Sequence, residues 1–211
     1  MFLTPFIDLG DTLESLCFPG SSNAENTSPS NQNVPSKKQA AERVRIISVS
    51  DKVKILSANE RGTTMEGTGI AIGSGPLDQS KAYFEILIEA PNTSISVGAI
   101  GRNPNSVLAE GWQVLSKVPN SICVPLGVYQ TGDIVGVMVD IANFPPTVTG
   151  YESNDIERKS VSSRVRGELW PALEIHSGSV TAVFRREHLK YLTPVRISRG
   201  VEAVMLSRSI I

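Results

Sequence analysis

The chain of 211 residues has two cysteines and two histidines, and neither pair is spaced for chemistry. Cys17 and Cys123 stand in unrelated contexts, with no Cys-x-x-Cys and no Cys/His spacing. A disulfide framework and a zinc site are therefore not expected, and a reducing, intracellular, cytoplasmic setting is. No apolar run approaches the roughly 20 residues needed to cross a bilayer. The first residues carry no basic cluster, and Asp8 and Asp11 interrupt their apolar stretch, so no secretory signal is expected. Without secretion, Asn26-Thr27-Ser28 and Asn92-Thr93-Ser94 are chance matches to the glycosylation pattern. Net charge is -1, which argues against a nucleic-acid footprint. No Gly-x-Ser-x-Gly elbow occurs. His176 sits beside Ser177 in an expected turn, and strand neighbours point in different directions. His188 follows a charged run. The residues thus favour a non-catalytic protein without a cofactor, since an enzyme needs a nucleophile and base brought together or a metal cage.

What is present is one real core, with 40% apolar residues. Residues 1–40 stand apart from it. Leu9, Leu13 and Leu16 recur at helical spacing behind Asp11, which suits a helix cap. That stretch is read either as a poorly ordered or self-packed terminus or as a short docking segment for a partner groove. Residues 19–39 are Ser, Asn, Pro and Gln without aromatics, too polar to offset their ordering entropy, so a flexible linker is expected. Residues 41–211 are expected to form one domain with a C-terminal extension.

That domain reads as strands. Residues 134–139 are apolar, rich in β-branched side chains and too short for an ordinary helix. The turn Thr131-Gly132-Asp133 precedes them and Asp140 ends them. This strand is expected in the middle of a sheet, with Gly136 marking a close approach or a bulge. The glycine-rich 67–73 superficially suggests a nucleotide loop, but Gly73-Ser74-Gly75-Pro76 would break the helix such a loop needs. A strand ending in a turn is the better reading. Residues 82–89 and 95–101 are expected as antiparallel neighbours, and 169–175 with 180–184 as a hairpin about Gly178. Short strands are expected near 114–115 and 122–124. Long loops are expected at 102–112 and 143–151, where Pro145-Pro146 forbids a central strand. The basic run 152–167 reads as a solvated loop. Many short strands and few helical signals indicate an all-β sandwich or barrel.

The residues further resemble the SPRY domain family. Tyr83-Phe84-Glu85 resembles its aromatic-aromatic-Glu strand, and Val97-Gly98-Ala99 its Val-Gly strand. Gly132-Asp133-Ile134-Val135-Gly136-Val137 with Asp140 resembles its Gly-Asp strand, Trp170-Pro171-Ala172 its Tyr-Pro strand, and 180–184 its closing strand. The pieces stand in family order over residues 52–194. The family's usual Asn-Gly after the Asp is missing here. The resemblance implies a bent β-sandwich of two antiparallel sheets that binds a peptide or protein through loops at one edge. It implies no catalysis and no small-molecule cofactor. Arg102, Trp112, Phe144 and Tyr151 are the candidate partner-binding residues, because Arg and aromatic side chains combine area with directional polar contacts. Trp112 and Phe144 could instead anchor their loops in the core. The alternatives are a structural subunit of a larger assembly, and a carbohydrate-binding or hydrolytic β-sandwich.

Overall fold

A computed structural model describes residues 45–152 and 156–204. The expectations for residues 1–40, and those for the last seven residues, lie outside the described residues. The elements run β1 (Ile46–Val49), β2 (Val53–Ala58), β3 (Thr63–Gly67), β4 (Gly69–Gly73), β5 (Lys81–Ile88), β6 (Thr93–Ile100), α1 (Pro104–Ala109), a 3-10 turn (Leu115–Lys117) and β7 (Ser121–Tyr129). Next come β8 (Ile134–Asp140), β9 (Thr147–Glu152), β10 (Ile156–Ser162), β11 (Trp170–Ser177), β12 (Ser179–Val183), a 3-10 turn (Arg186–His188), α2 (Pro194–Ser198) and β13 (Glu202–Ala203).

Two sheets result. The smaller has the order β1-β4-β11-β6-β7, and the larger the order β10-β9-β8-β5-β12-β3-β2 with β13 added beside β5. All pairs are antiparallel except β13 with β5. Strand alternation makes the core. Phe84, Ile86 and Ile88 of β5 and Val135, Val137 and Val139 of β8 meet Ile95, Val97 and Ala99 of β6 and Leu173 and Ile175 of β11. A second cluster covers the outer face of the smaller sheet. There Ile70, Ile72, Ile100 and Ala172 lie under Val107, Leu115 and Val118, with Trp112 and Trp170 at its margin. Burial on both faces explains why β4 carries no polar side chain.

The strand 134–140 lies in the middle of the larger sheet, between β5 and β9. Its register with β5 is unbroken, so Gly136 marks close packing and not a bulge. The turn before it forms as its residues require. Gly132 has φ +90°, and the Asp133 carboxylate accepts the Gln130 backbone N–H at 2.8 Å.

Six local expectations need correction. Residues 82–89 and 95–101 are consecutive strands in opposite sheets: β5 pairs with β8 and β12, and β6 with β11 and β7. The expected hairpin 169–184 is likewise split, with β11 in the smaller sheet and β12 in the larger. Alternation specifies which face of a strand is buried, and both pairs do bury the same face into one core. It leaves open which strand lies alongside. Residues 156–162 are strand β10, not loop. β10 closes one edge of the larger sheet, where exposed Glu157 and Lys159 are compatible with an open edge. Around 114–115 the chain makes a 3-10 turn, and the loop 102–112 contains α1. The Asn103 side chain caps α1 by accepting the Asn105 N–H at 2.9 Å, and Pro104 stands in its first turn. The irregular stretch after Asn143 ends at Pro146, so 147–151 belongs to β9.

Candidate functional site

Register places the connecting loops. Ile100 lies opposite Trp170 and Ser121, and Asp140 opposite Lys81 and Thr147. The link 74–80 joins Gly73 to Lys81, and the link 163–169 joins Ser162 to Trp170. The loops 101–120, 141–146 and 163–169 therefore gather at one end of the sandwich. Hydrogen bonds staple them together. Asn120, at φ +61°, donates its side-chain N–H to Gly101 O at 2.6 Å and to Arg166 O at 2.8 Å. Its side-chain oxygen accepts Arg166 N–H at 2.9 Å. Ser163 N–H donates to Pro146 O at 3.3 Å, tying the third loop to the second.

On this end the structure brings Arg102 and Trp112 together through a residue the sequence reading missed. Arg102 grips the Glu110 carboxylate two-pronged, with Nη1 2.9 Å from Oε2 and Nη2 on Oε1. The Trp112 indole N–H donates to the same Oε2 at 2.8 Å. The Arg102 hydrogen bonds, and then that of Trp112, pull the Glu110 carboxyl down to about 2, and Glu110 in turn raises Arg102. The Trp112 ring packs on the second cluster, as a loop anchor would, and its indole N–H is taken up by Glu110. The signal for Glu110 was its position within a loop already singled out for Arg and Trp. Phe144 lies at the same end, 67% exposed, the most exposed large apolar side chain among the described residues.

Tyr151 does not join them. It stands on β9, opposite Gly136 of β8, on the outer face of the larger sheet. The Arg196 guanidinium from α2 lies 4.0 Å from its ring centroid and 4.8 Å from that of Tyr83. Burial raises both tyrosines, that of Tyr83 further with help from the Glu85 charge. The aromatic-aromatic-Glu motif acquires its physical reason here. Phe84 faces the core, 5.2 Å from Phe184. Tyr83 and Glu85 face outward, under the segment that follows β12. Glu85 is 2% exposed and accepts Lys190 N–H at 2.7 Å, Tyr191 N–H at 2.6 Å and Tyr83 O–H at 3.2 Å. It straps the C-terminal segment onto the sheet.

A second polar group lies on the outer face of the smaller sheet. Ser96 Oγ is 2.8 Å from His176 Nε2, and His176 Nδ1 is 3.2 Å from Glu174 Oε1. The other Glu174 oxygen accepts Leu115 N–H at 2.9 Å. The sequence reading set His176 against its neighbour Ser177. The usable signal was Glu174, two residues away on the same strand face. The order Ser–His–Glu is that of a hydrolytic relay. Ser96, however, is 2% exposed and lies mid-strand, where its neighbours' backbone N–H groups face the ladder. A substrate carbonyl has neither a path to Oγ nor donors to receive its oxyanion. The arrangement serves structure: buried Glu174 fixes the turn at Leu115, and so the base of the loop that carries Trp112. Cys123 beside it is raised by burial, which disfavours its reactive thiolate. Among the described residues no group of three His, Cys, Asp or Glu could hold a metal, and no helix is long and apolar enough to cross a membrane.

No family profile and no curated protein matches the chain. Solved structures do. The NHR domain of Neuralized from Drosophila melanogaster superposes with a TM-score of 0.54 at 13% identity, covering 78% of this chain and 99% of that one. The TRIM65 PSpry domain gives 0.49 at 12%, covering 68% and 91%. The SPRY domain of human HERC1 gives 0.43 at 14%, covering 63% and 94%. The first of these likenesses shows the fold: the expected SPRY-like sandwich of two antiparallel sheets is the one observed.

Proposed function

We propose that the chain is a SPRY-type, non-catalytic protein-interaction domain that binds a peptide or protein partner through the stapled loops at one end of its sandwich. The observation that carries this is the rim itself. Asn120 and the Ser163–Pro146 bond hold three loops in one rigid unit, and that unit presents Arg102 with Glu110, the polar edge of Trp112 and the bare ring of Phe144. Loops fixed on a rigid scaffold are where recognition residues concentrate, and pre-ordering lowers the entropy lost on binding. Within the family, Gly75-Pro76-Leu77-Asp78-Gln79 and the closing stretch from Gly200 resemble SPRY domain-containing protein 7. An intracellular setting follows from the same reading.

Arg102, Trp112 and Phe144 carry the proposal, and Tyr151, under Arg196, serves as the comparison. The experiment is a set of single alanine variants of all four, each measured for melting temperature and for capture of a partner identified by proximity labelling. Loss of capture with stability kept at Phe144 and Arg102 supports the rim. Normal capture by every variant that folds removes it. A constitutive, stoichiometric complex would favour a structural subunit over an exchangeable adaptor.

A further inference from the structure

Beside Phe144 the rim is basic, although the whole chain carries 20 cationic and 21 anionic side chains. The three stapled loops hold four cations, Arg102, Lys117, Arg164 and Arg166, against two anions, Glu110 and Glu168. Glu110 is already neutralised by Arg102. Arg164 and Arg166 are exposed on either side of buried Val165, and neither has an ion-pair partner among the described residues. Their backbone is not free to drift. Val165 is sunk to 4% exposure, and Arg166 has both its N–H and its carbonyl bound by Asn120. The loop that carries Phe144 is tied to this run by the Ser163–Pro146 bond. One exposed aromatic ring and two unpaired guanidinium groups are thus presented from a common, hydrogen-bonded base.

We infer that the partner segment recognised here is an acidic peptide bearing one large apolar side chain, its carboxylates meeting Arg164 and Arg166 and its apolar residue covering Phe144. This rests on the reading of the rim as the binding surface and adds the partner's chemistry to it. Guanidinium groups match carboxylates in a fork geometry, and a local positive field on a protein of near-zero net charge selects acidic partners and speeds their arrival.

The test selects a phage-displayed library of random dodecamer peptides on the full chain, with Arg164→Glu/Arg166→Glu as counter-selection. Fluorescein-labelled winners are then measured by fluorescence anisotropy. The expected winners carry two or more Asp or Glu near one Phe, Leu, Trp or Met. Their affinity falls about tenfold or more on the double charge reversal and severalfold between about 50 and about 300 mM salt. It also falls on Phe144→Ala. Winners without acidic bias, or unmoved by the reversal, overturn the acidic inference. If those winners still depend on Phe144 and Arg102, the rim stands as a surface of other chemistry. If they depend on neither, both readings fall. A library that yields no binder on the full chain overturns the inference as well.

Discussion

Replacing Gly136 by alanine should destabilise the domain by roughly 2–5 kcal/mol, from overpacking and from a displaced hydrogen bond to a charged group. A Cβ built on Gly136 falls inside contact distance of the Tyr83 hydroxyl, 3.0 Å from Cζ and 3.1 Å from Cε2. Tyr83 cannot swing away cheaply. Its side chain is fully buried, its hydroxyl donates to Glu85 at 3.2 Å, and Arg196 covers its ring. Making room for one methyl group therefore moves the ring off the Glu85 carboxylate, which also holds Lys190 and Tyr191. For a domain of this size that corresponds to a fall in melting temperature on the order of 10 °C. The assay is thermal unfolding of the wild type, Gly136→Ala, Tyr83→Phe and the double variant. Removing the hydroxyl relieves the clash, so the double variant should lose at least about 1 kcal/mol less than the two single losses combined. An unchanged melting temperature for Gly136→Ala, or strict additivity, would refute the packing argument.

The remaining predictions concern the rim and its supports. Asn120→Ala removes three loop-stapling hydrogen bonds and should cost about 1–3 kcal/mol, with faster amide exchange at 163–168 as the readout. Glu174→Ala leaves the buried Leu115 N–H without its acceptor and should cost a similar amount, about 1–3 kcal/mol, while Glu174→Gln retains most of it. Glu110 is depressed to about 2 by Arg102 and Trp112, so what it contributes is present above its unfolded value and is lost as pH falls through about 2. The Trp112 indole N–H resonance, assigned with Trp112→Phe, should accordingly shift with a midpoint near 2, and a midpoint near 4.5 would contradict the hydrogen-bonded unit. Phe144→Ala should change stability by no more than about 0.5 kcal/mol, because its ring is mostly in water, and thermal unfolding checks this.

Strand identity and burial were legible because alternation is written locally: Phe84, Ile86 and Ile88 point one way whatever lies beside them. The middle position of β8 was legible for a similar reason, as an apolar run flanked by turn residues is buried on both sides. Sheet membership was not. The link from β5 to β6 is short, and a short link suits a hairpin and a crossing between sheets equally well. The choice depends on β8, β11 and β12, which come much later in the chain. Edge strand β10 was hidden by its charge, since Glu157, Arg158 and Lys159 have the composition of a loop and the pairing that orders them comes from β9. At the rim, residue types pointed to Arg102, Trp112 and Phe144, but the parts that build the site were silent. Asn120 is an ordinary turn residue until its amide meets Gly101 and Arg166. Tyr151 read as a loop residue but stands on β9, and Arg196, which covers its ring, lies 45 positions further on.

Amide hydrogen exchange of the full chain with and without its captured partner tests the proposed binding rim most directly. The expected result is slowed exchange in the loops 101–120, 141–146 and 163–169, with the β2 edge and the opposite end of the sandwich unchanged. Protection confined to that opposite end or to β2, with the three loops exchanging as before, would contradict it.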